Sequence, residues 1–126
     1  MFFNLFKKKD KQGSIFENEF PKHEFKWNEP WWPLKESKRA RAGIQKELDL
    51  EIGPKHPLWD LQPIAFGKTD ANDDVLVFLS DGRFACVHLI WHGKIDQYPD
   101  KYPSFLFLDT PVKVQEFLDN EAEECT

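Results

Sequence analysis

The apolar positions of this chain change period along its length, and the changes mark out its elements. From about residue 33 to 52 they recur every four residues, at Ala40, Ile44, Leu48 and Ile52, with Lys38, Arg39, Arg41, Lys46 and Glu47 assigned to the other faces. That spacing predicts an amphipathic helix covering a sheet, opened by Pro33 and stopped by Gly53-Pro54. Residues 61–67 (LQPIAFG) form a short apolar run, read as a first strand in which Pro63 implies an edge or a bulge. Residues 73–94 read DDVLVFLSDGRFACVHLIWHGK, two β-branched and aromatic runs around Asp81-Gly82. Asp-Gly accepts the positive φ of a tight turn, so the stretch predicts a hairpin of strands 74–79 and 83–91. A two-residue loop would set Leu76 opposite Val87, Val77 opposite Cys86, Phe78 opposite Ala85 and Leu79 opposite Phe84. By the same count Val75 faces His88 and Asp74 faces Leu89. Both faces are apolar, which places the hairpin mid-sheet with cover on each side. Residues 104–108 (SFLFL) predict a fourth strand. Thr110-Pro111 opens a second helix, with Val114, Phe117 and Leu118 as its apolar stripe through about residue 120.

The order helix, four strands, helix predicts an α+β fold: a four-stranded antiparallel sheet flanked by an N-terminal and a C-terminal helix. Residues 1–32 read as an aromatic and basic arm, and residues 33–126 as the single domain. Within the arm, Phe2, Phe3, Leu5 and Phe6 precede Lys7, Lys8, Lys9 and Lys11. That is the order of a lipid-touching foot or of a frayed terminus. An edge strand is expected near residues 15–20. Trp27, Trp31 and Trp32 either clamp the arm onto the sheet or present a recognition patch, and clamping accords with the usual burial of Trp.

Composition alters this picture in three ways. Twelve Phe and five Trp in 126 residues are more than a core of this size needs, which raises the prospect of an aromatic binding surface. The net charge of −5 is unevenly spread: residues 1–46 hold 11 Lys/Arg against 6 Asp/Glu, and residues 47–126 hold 6 against 16, giving +5 and −10. An acidic body argues against nucleic acid and for a basic protein partner, or simply for solubility. Two cysteines, Cys86 in a strand and Cys125 near the end, suit a reducing compartment rather than a disulfide. With no long apolar span and no signal-peptide order at the start, the sequence predicts a cytoplasmic protein without stable membrane insertion.

The side chains of the predicted strands and loops are open to three chemistries. Cys86, His88 and His92 share strand parity, and His56 completes a Cys/His set of the kind zinc takes, but the spacing matches no zinc pattern and no metal is expected. As a nucleophile Cys86 needs a base, and His88 is two residues along the strand; packing is the simpler role. The carboxylates Asp70, Asp73, Asp74, Asp96, Asp100 and Asp109 lie in polar turns where nothing separates their pKa values. The six glycines form no phosphate-binding motif. No catalytic residue, no cofactor and no enzymatic activity are predicted.

Lys46-Glu47-Leu48 and then Glu51-Ile52-Gly53-Pro54-Lys55-His56-Pro57-Leu58-Trp59, Asp73-Asp74-Val75-Leu76, and Val87-His88-Leu89-Ile90-Trp91 occur in that order, with Pro103 before the last strand. The series resembles a family of small uncharacterised bacterial proteins carrying GHPLYG, DDVLF and VHLTW motifs, over roughly residues 34–118. This chain has Lys55 for the family's Gly, Trp59-Asp60 for Tyr-Gly and Ile90 for Thr. By analogy of type, small acidic bacterial proteins of this kind resemble immunity proteins that neutralise toxins of competing cells. The expectation is a non-catalytic binding protein that occludes a basic toxin domain, such as a nuclease. Its contacts would be Trp59, Asp70, Asp73, Asp74, Trp91, Asp96 and Asp100, on loops at one end of the sheet. The alternative is a small-ligand or metal-binding domain using His56, Cys86, His88 and His92.

Overall fold

Five strands pair in chain order into one antiparallel meander: β1 (Trp31–Pro33), β2 (Ile64–Thr69), β3 (Asp74–Phe78), β4 (Phe84–His88) and β5 (Phe105–Leu108). Helix α1 (Lys38–Glu51) lies between β1 and β2, and α2 (Pro111–Cys125) follows β5. This is a computed structural model that describes residues 21–125, with side chains to Glu121. The α+β class and the two helices agree with the sequence pattern. The sheet has five strands rather than four, because Trp31–Pro33 pairs with β2 (Trp31 opposite Thr69, Pro33 opposite Gly67). The boundary drawn between residues 32 and 33 therefore falls inside a strand. The foot at 2–11 and the strand expected near 15–20 lie outside the described residues.

The helix also starts later than Pro33. Residues Leu34–Glu36 make a 3-10 turn, and Ser37 caps α1 by accepting the Ala40 amide at 3.2 Å. Ile44, Leu48 and Ile52 are buried as their period implies, and Ala40 packs partly beside them. Glu47, assigned to a polar face, is buried as well.

The central hairpin is shifted by one residue from the expected register. Val75 faces Val87, Leu76 faces Cys86, Val77 faces Ala85, Phe78 faces Phe84, and Asp74 faces His88. The cause is the turn. Leu79 and Arg83 close a three-residue loop (Leu79 N to Arg83 O, 2.9 Å), and the Gly82 amide bonds the Leu79 carbonyl with φ 90° at Gly82. A type I turn completed by a left-handed glycine takes three residues where a primed turn takes two. Like parities now meet, so the two faces separate cleanly. Val75, Val77, Leu79, Ala85, Val87 and Leu89 pack under α1, with Leu34, Ile44, Leu48, Ile52 and Leu58. Leu76, Phe84, Cys86 and Leu108 pack with Val114 and Leu118 of α2.

The second face is completed by the arm. Phe25 stacks 5.8 Å from Phe66 and meets Phe84 edge-on at 5.9 Å, and Trp31 lies 5.7 Å from Phe117 of α2. A bulge between Ala65 and Gly67 puts Phe66 and Gly67 in succession toward this side, and the Trp27 ring rests where a Gly67 Cβ would stand, 2.8 Å away. Lys26 and Gln115 exchange two backbone-to-amide hydrogen bonds (2.9 and 3.0 Å), and Asn28 donates to Asp119 at 2.8 Å. Trp27 and Trp31 thus act as clamps, and Trp32 donates its indole N–H to Asp70.

Candidate functional site

The antiparallel order brings the β2–β3 turn and the long β4–β5 loop to the same end of the sheet. Asp70, Asp73 and Asp74 stand in or beside the turn, and Trp91, Asp96 and Asp100 in the loop. The two are joined where the Leu89 amide bonds the Asp73 carbonyl at 3.2 Å. Trp59 does not join them. It lies in the 3-10 turn Trp59–Leu61, half-buried against the α1-side core, and Leu61 accepts the Ser80 amide at the opposite end of the sheet.

The carboxylates have local partners. Asp70 accepts the Trp32 indole at 3.0 Å, and Asp74 meets the His88 ring nitrogen Nδ1 at 2.7 Å. Lys68 turns its ammonium to the carbonyls of Thr69 and Asn72, inside this acidic turn. Burial lowers its pKa, against the pull of Asp73, Asp70 and Asp74. Asp96 caps the loop by accepting the Tyr98 amide at 2.8 Å.

The loop is fixed from beneath by two glutamates that the helical pattern did not single out. Glu51, 2% exposed, accepts the Ile90 amide at 2.8 Å on one oxygen and the Trp91 amide at 2.6 Å on the other. Glu47, one turn earlier, accepts the Gly93 amide at 2.8 Å. The positive φ of Trp91 (64°) and Gly93 (69°) aims these successive amides back at α1. The Trp91 side chain consequently stands outward at 45% exposure, and Ile95, Tyr98 and Tyr102 are exposed in the same loop.

The two carboxyls, one helical turn apart, act on each other in opposite senses, so that Glu51 is the one that keeps its proton. Burial, then the Glu47 contact, pushes Glu51 up to about 7, and the bond from Glu51 holds Glu47 below its ordinary range. His56 anchors the far end of the loop. Its Nδ1 accepts the Leu58 amide at 3.0 Å, which leaves Nε2 to donate to the Pro103 carbonyl at 2.8 Å. Burial lowers its pKa, so this ring is held neutral.

These pairings hold the loop in place. Both oxygens of Glu51 are engaged and out of reach of solvent. Of the proposed Cys/His set, His56 lies with the α1-side core against Phe105, Cys86 faces α2 on the other side of the sheet, and His92 is out in the loop. Burial pushes the Cys86 thiol up, away from a reactive thiolate. Among the described residues no group of three or more His, Cys, Asp or Glu is placed to hold a metal. No described helix is long and apolar enough to cross a membrane.

A signal for the glutamate pair does exist in the sequence. Glu47 and Glu51 each follow a stripe residue by three positions, after Ile44 and Leu48, which puts them on the stripe's flank.

The raised pKa of Glu51 has a consequence for stability. Glu51 binds its proton more tightly folded than unfolded, so its contribution to stability is complete below about pH 4.5 and is lost as pH rises through about 7. His56 has the opposite sign: its depressed pKa stabilises above about 6.5, and that contribution is lost as pH falls. Comparison with Glu51→Gln separates the two. Urea denaturation should show the wild type losing roughly 2 kcal/mol relative to the variant between about pH 5 and pH 8. A difference that stays constant with pH would rule out the raised pKa of Glu51.

No protein-family model, curated protein or solved structure matches this chain.

Proposed function

We propose that this chain is a non-catalytic binding protein that recognises a basic protein partner at the loop-bearing end of its sheet. The observation that carries this reading is the Glu47–Glu51 support, which holds the Trp91 segment in left-handed backbone while its indole stands in solvent. Ordering a loop and leaving its aromatic groups exposed is how an interface anchor is preorganised. Asp70, Asp73, Asp74, Asp96 and Asp100 ring the same end, so a basic surface would be drawn to it and its association would be fast and salt-sensitive. Acidic charge and a fixed aromatic anchor fit an immunity protein acting in the cytoplasm on a cognate toxin domain, for example a nuclease.

The test is co-expression with the basic protein encoded beside it. The expected result is protection of growth and a stoichiometric complex. Trp91→Ala combined with Asp73→Lys should weaken that complex at least about tenfold while the free protein keeps its melting temperature. Neither protection nor complex, or a complex indifferent to the double variant, overturns the reading.

A further inference from the structure

The two edges of the sheet are built differently. β1 has three residues, ends in Pro33 and follows Pro30, so it offers a short and interrupted edge. β5 reads Phe-Leu-Phe-Leu, with no proline, charge or glycine inside it. Leu106 is 55% exposed on one face and Phe107 is exposed on the other, under the Arg83 guanidinium 4.1 Å from its ring.

Hydrogen-bond parity shows which backbone groups that edge presents. The His88 amide bonds the Ser104 carbonyl at 2.9 Å, which makes 88 and 104 a hydrogen-bonded pair. Such pairs alternate along an antiparallel ladder, so Leu106 and Leu108 also bond inward to β4. The amides and carbonyls of Phe105 and Phe107 then point away from the sheet.

We infer that β5 is the pairing edge for a second copy of this chain, joined antiparallel about a twofold axis at Leu106. In that register Phe105 of each copy lies opposite Phe107 of the other, and the two pairs exchange four backbone hydrogen bonds. Leu106 lies opposite its own counterpart in a non-hydrogen-bonded pair, where facing Cα atoms are about 4.5 Å apart. The strand is self-complementary in its donors and acceptors and in its apolar side chains. Asp109 falls opposite Pro103, so no like charges are brought face to face between two acidic bodies. Because the strands run antiparallel, the Trp91 ends point in opposite directions and both stay open to partners.

The full chain, 14.9 kDa, should approach twice that mass by light scattering or sedimentation equilibrium as its concentration is raised toward about 100 µM. Leu106→Lys alters an exposed side chain, and Phe107→Pro removes an outward amide together with a surface ring that rests on Arg83 and Phe105. Each should return the monomer mass while leaving the circular dichroism and melting temperature near wild type. Under oxidation Leu106→Cys should give a cross-linked dimer and Val112→Cys, exposed but off the register, no more than the wild type. A chain that stays monomeric across the series, or a dimer that neither Leu106→Lys nor Phe107→Pro weakens, overturns the inference.

Discussion

Glu51→Leu is expected to destabilise the fold by about 4 kcal/mol, although it puts a side chain of similar volume and greater hydrophobicity at a buried site. Packing alone would forecast a gain. The loss arises in the loop: Ile90 and Trp91 each direct an amide at the Glu51 carboxyl, and Leu leaves both donors without an acceptor at a cost of about 1–3 kcal/mol each. Glu47 also loses the bond that stabilises its anion. Because Glu51 is held protonated up to about pH 7, little is recovered from no longer burying a charge. Chemical denaturation measures the total, and amide exchange locates it. Protection should fall at Ile90, Trp91 and Gly93 and stay unchanged at Val75 and Val77 in β3. A loss under about 1 kcal/mol, with loop exchange as in the wild type, would mean that the loop is held by something other than the glutamates.

What could be read in advance depended on whether one residue class recurs at a fixed step. The stripe Ala40, Ile44, Leu48, Ile52 and the flanked hairpin satisfy that condition, and both elements form, the helix from Lys38 rather than Pro33 and the second hairpin strand only as far as His88 rather than Trp91. The register of the hairpin did not follow, because Asp81-Gly82 is compatible with both a two-residue and a three-residue loop and only the backbone decides. β1 was missed because three residues, one of them proline, carry no period. The loop scaffold was missed for a different reason. Glu47 and Glu51 flank the apolar stripe, but what they hold is invisible until the positive φ angles of Trp91 and Gly93 bring loop amides onto them, some forty residues away in sequence. The aspartates of the two loops could be placed at one end from strand order alone, whereas Trp59 could not, since a connector between α1 and β2 has no pattern to position it.

Trp31→Ala should cost about 3–5 kcal/mol, and Trp31→Phe less than about 1.5, a contrast that locates what the arm contributes. Trp31 is 1% exposed and stands at the junction of β1, the α2 residue Phe117 and the core that Phe66, Leu76 and Leu118 form. Truncation to Ala opens a cavity at a place where three separate elements meet, so no single one of them can relax to close it. Phe keeps most of the buried surface and the edge-on contact with Phe117. It also removes the indole Nε1, which is buried and has no hydrogen-bond partner among the described residues. The gain from not burying that N–H offsets much of the lost ring area. Thermal melts of the two variants decide the point. A Phe variant as unstable as the Ala variant would require an acceptor for Nε1 in the folded protein, and an Ala variant with a near-native melting temperature would mean that β1 and the arm are not needed to hold α2 on the sheet.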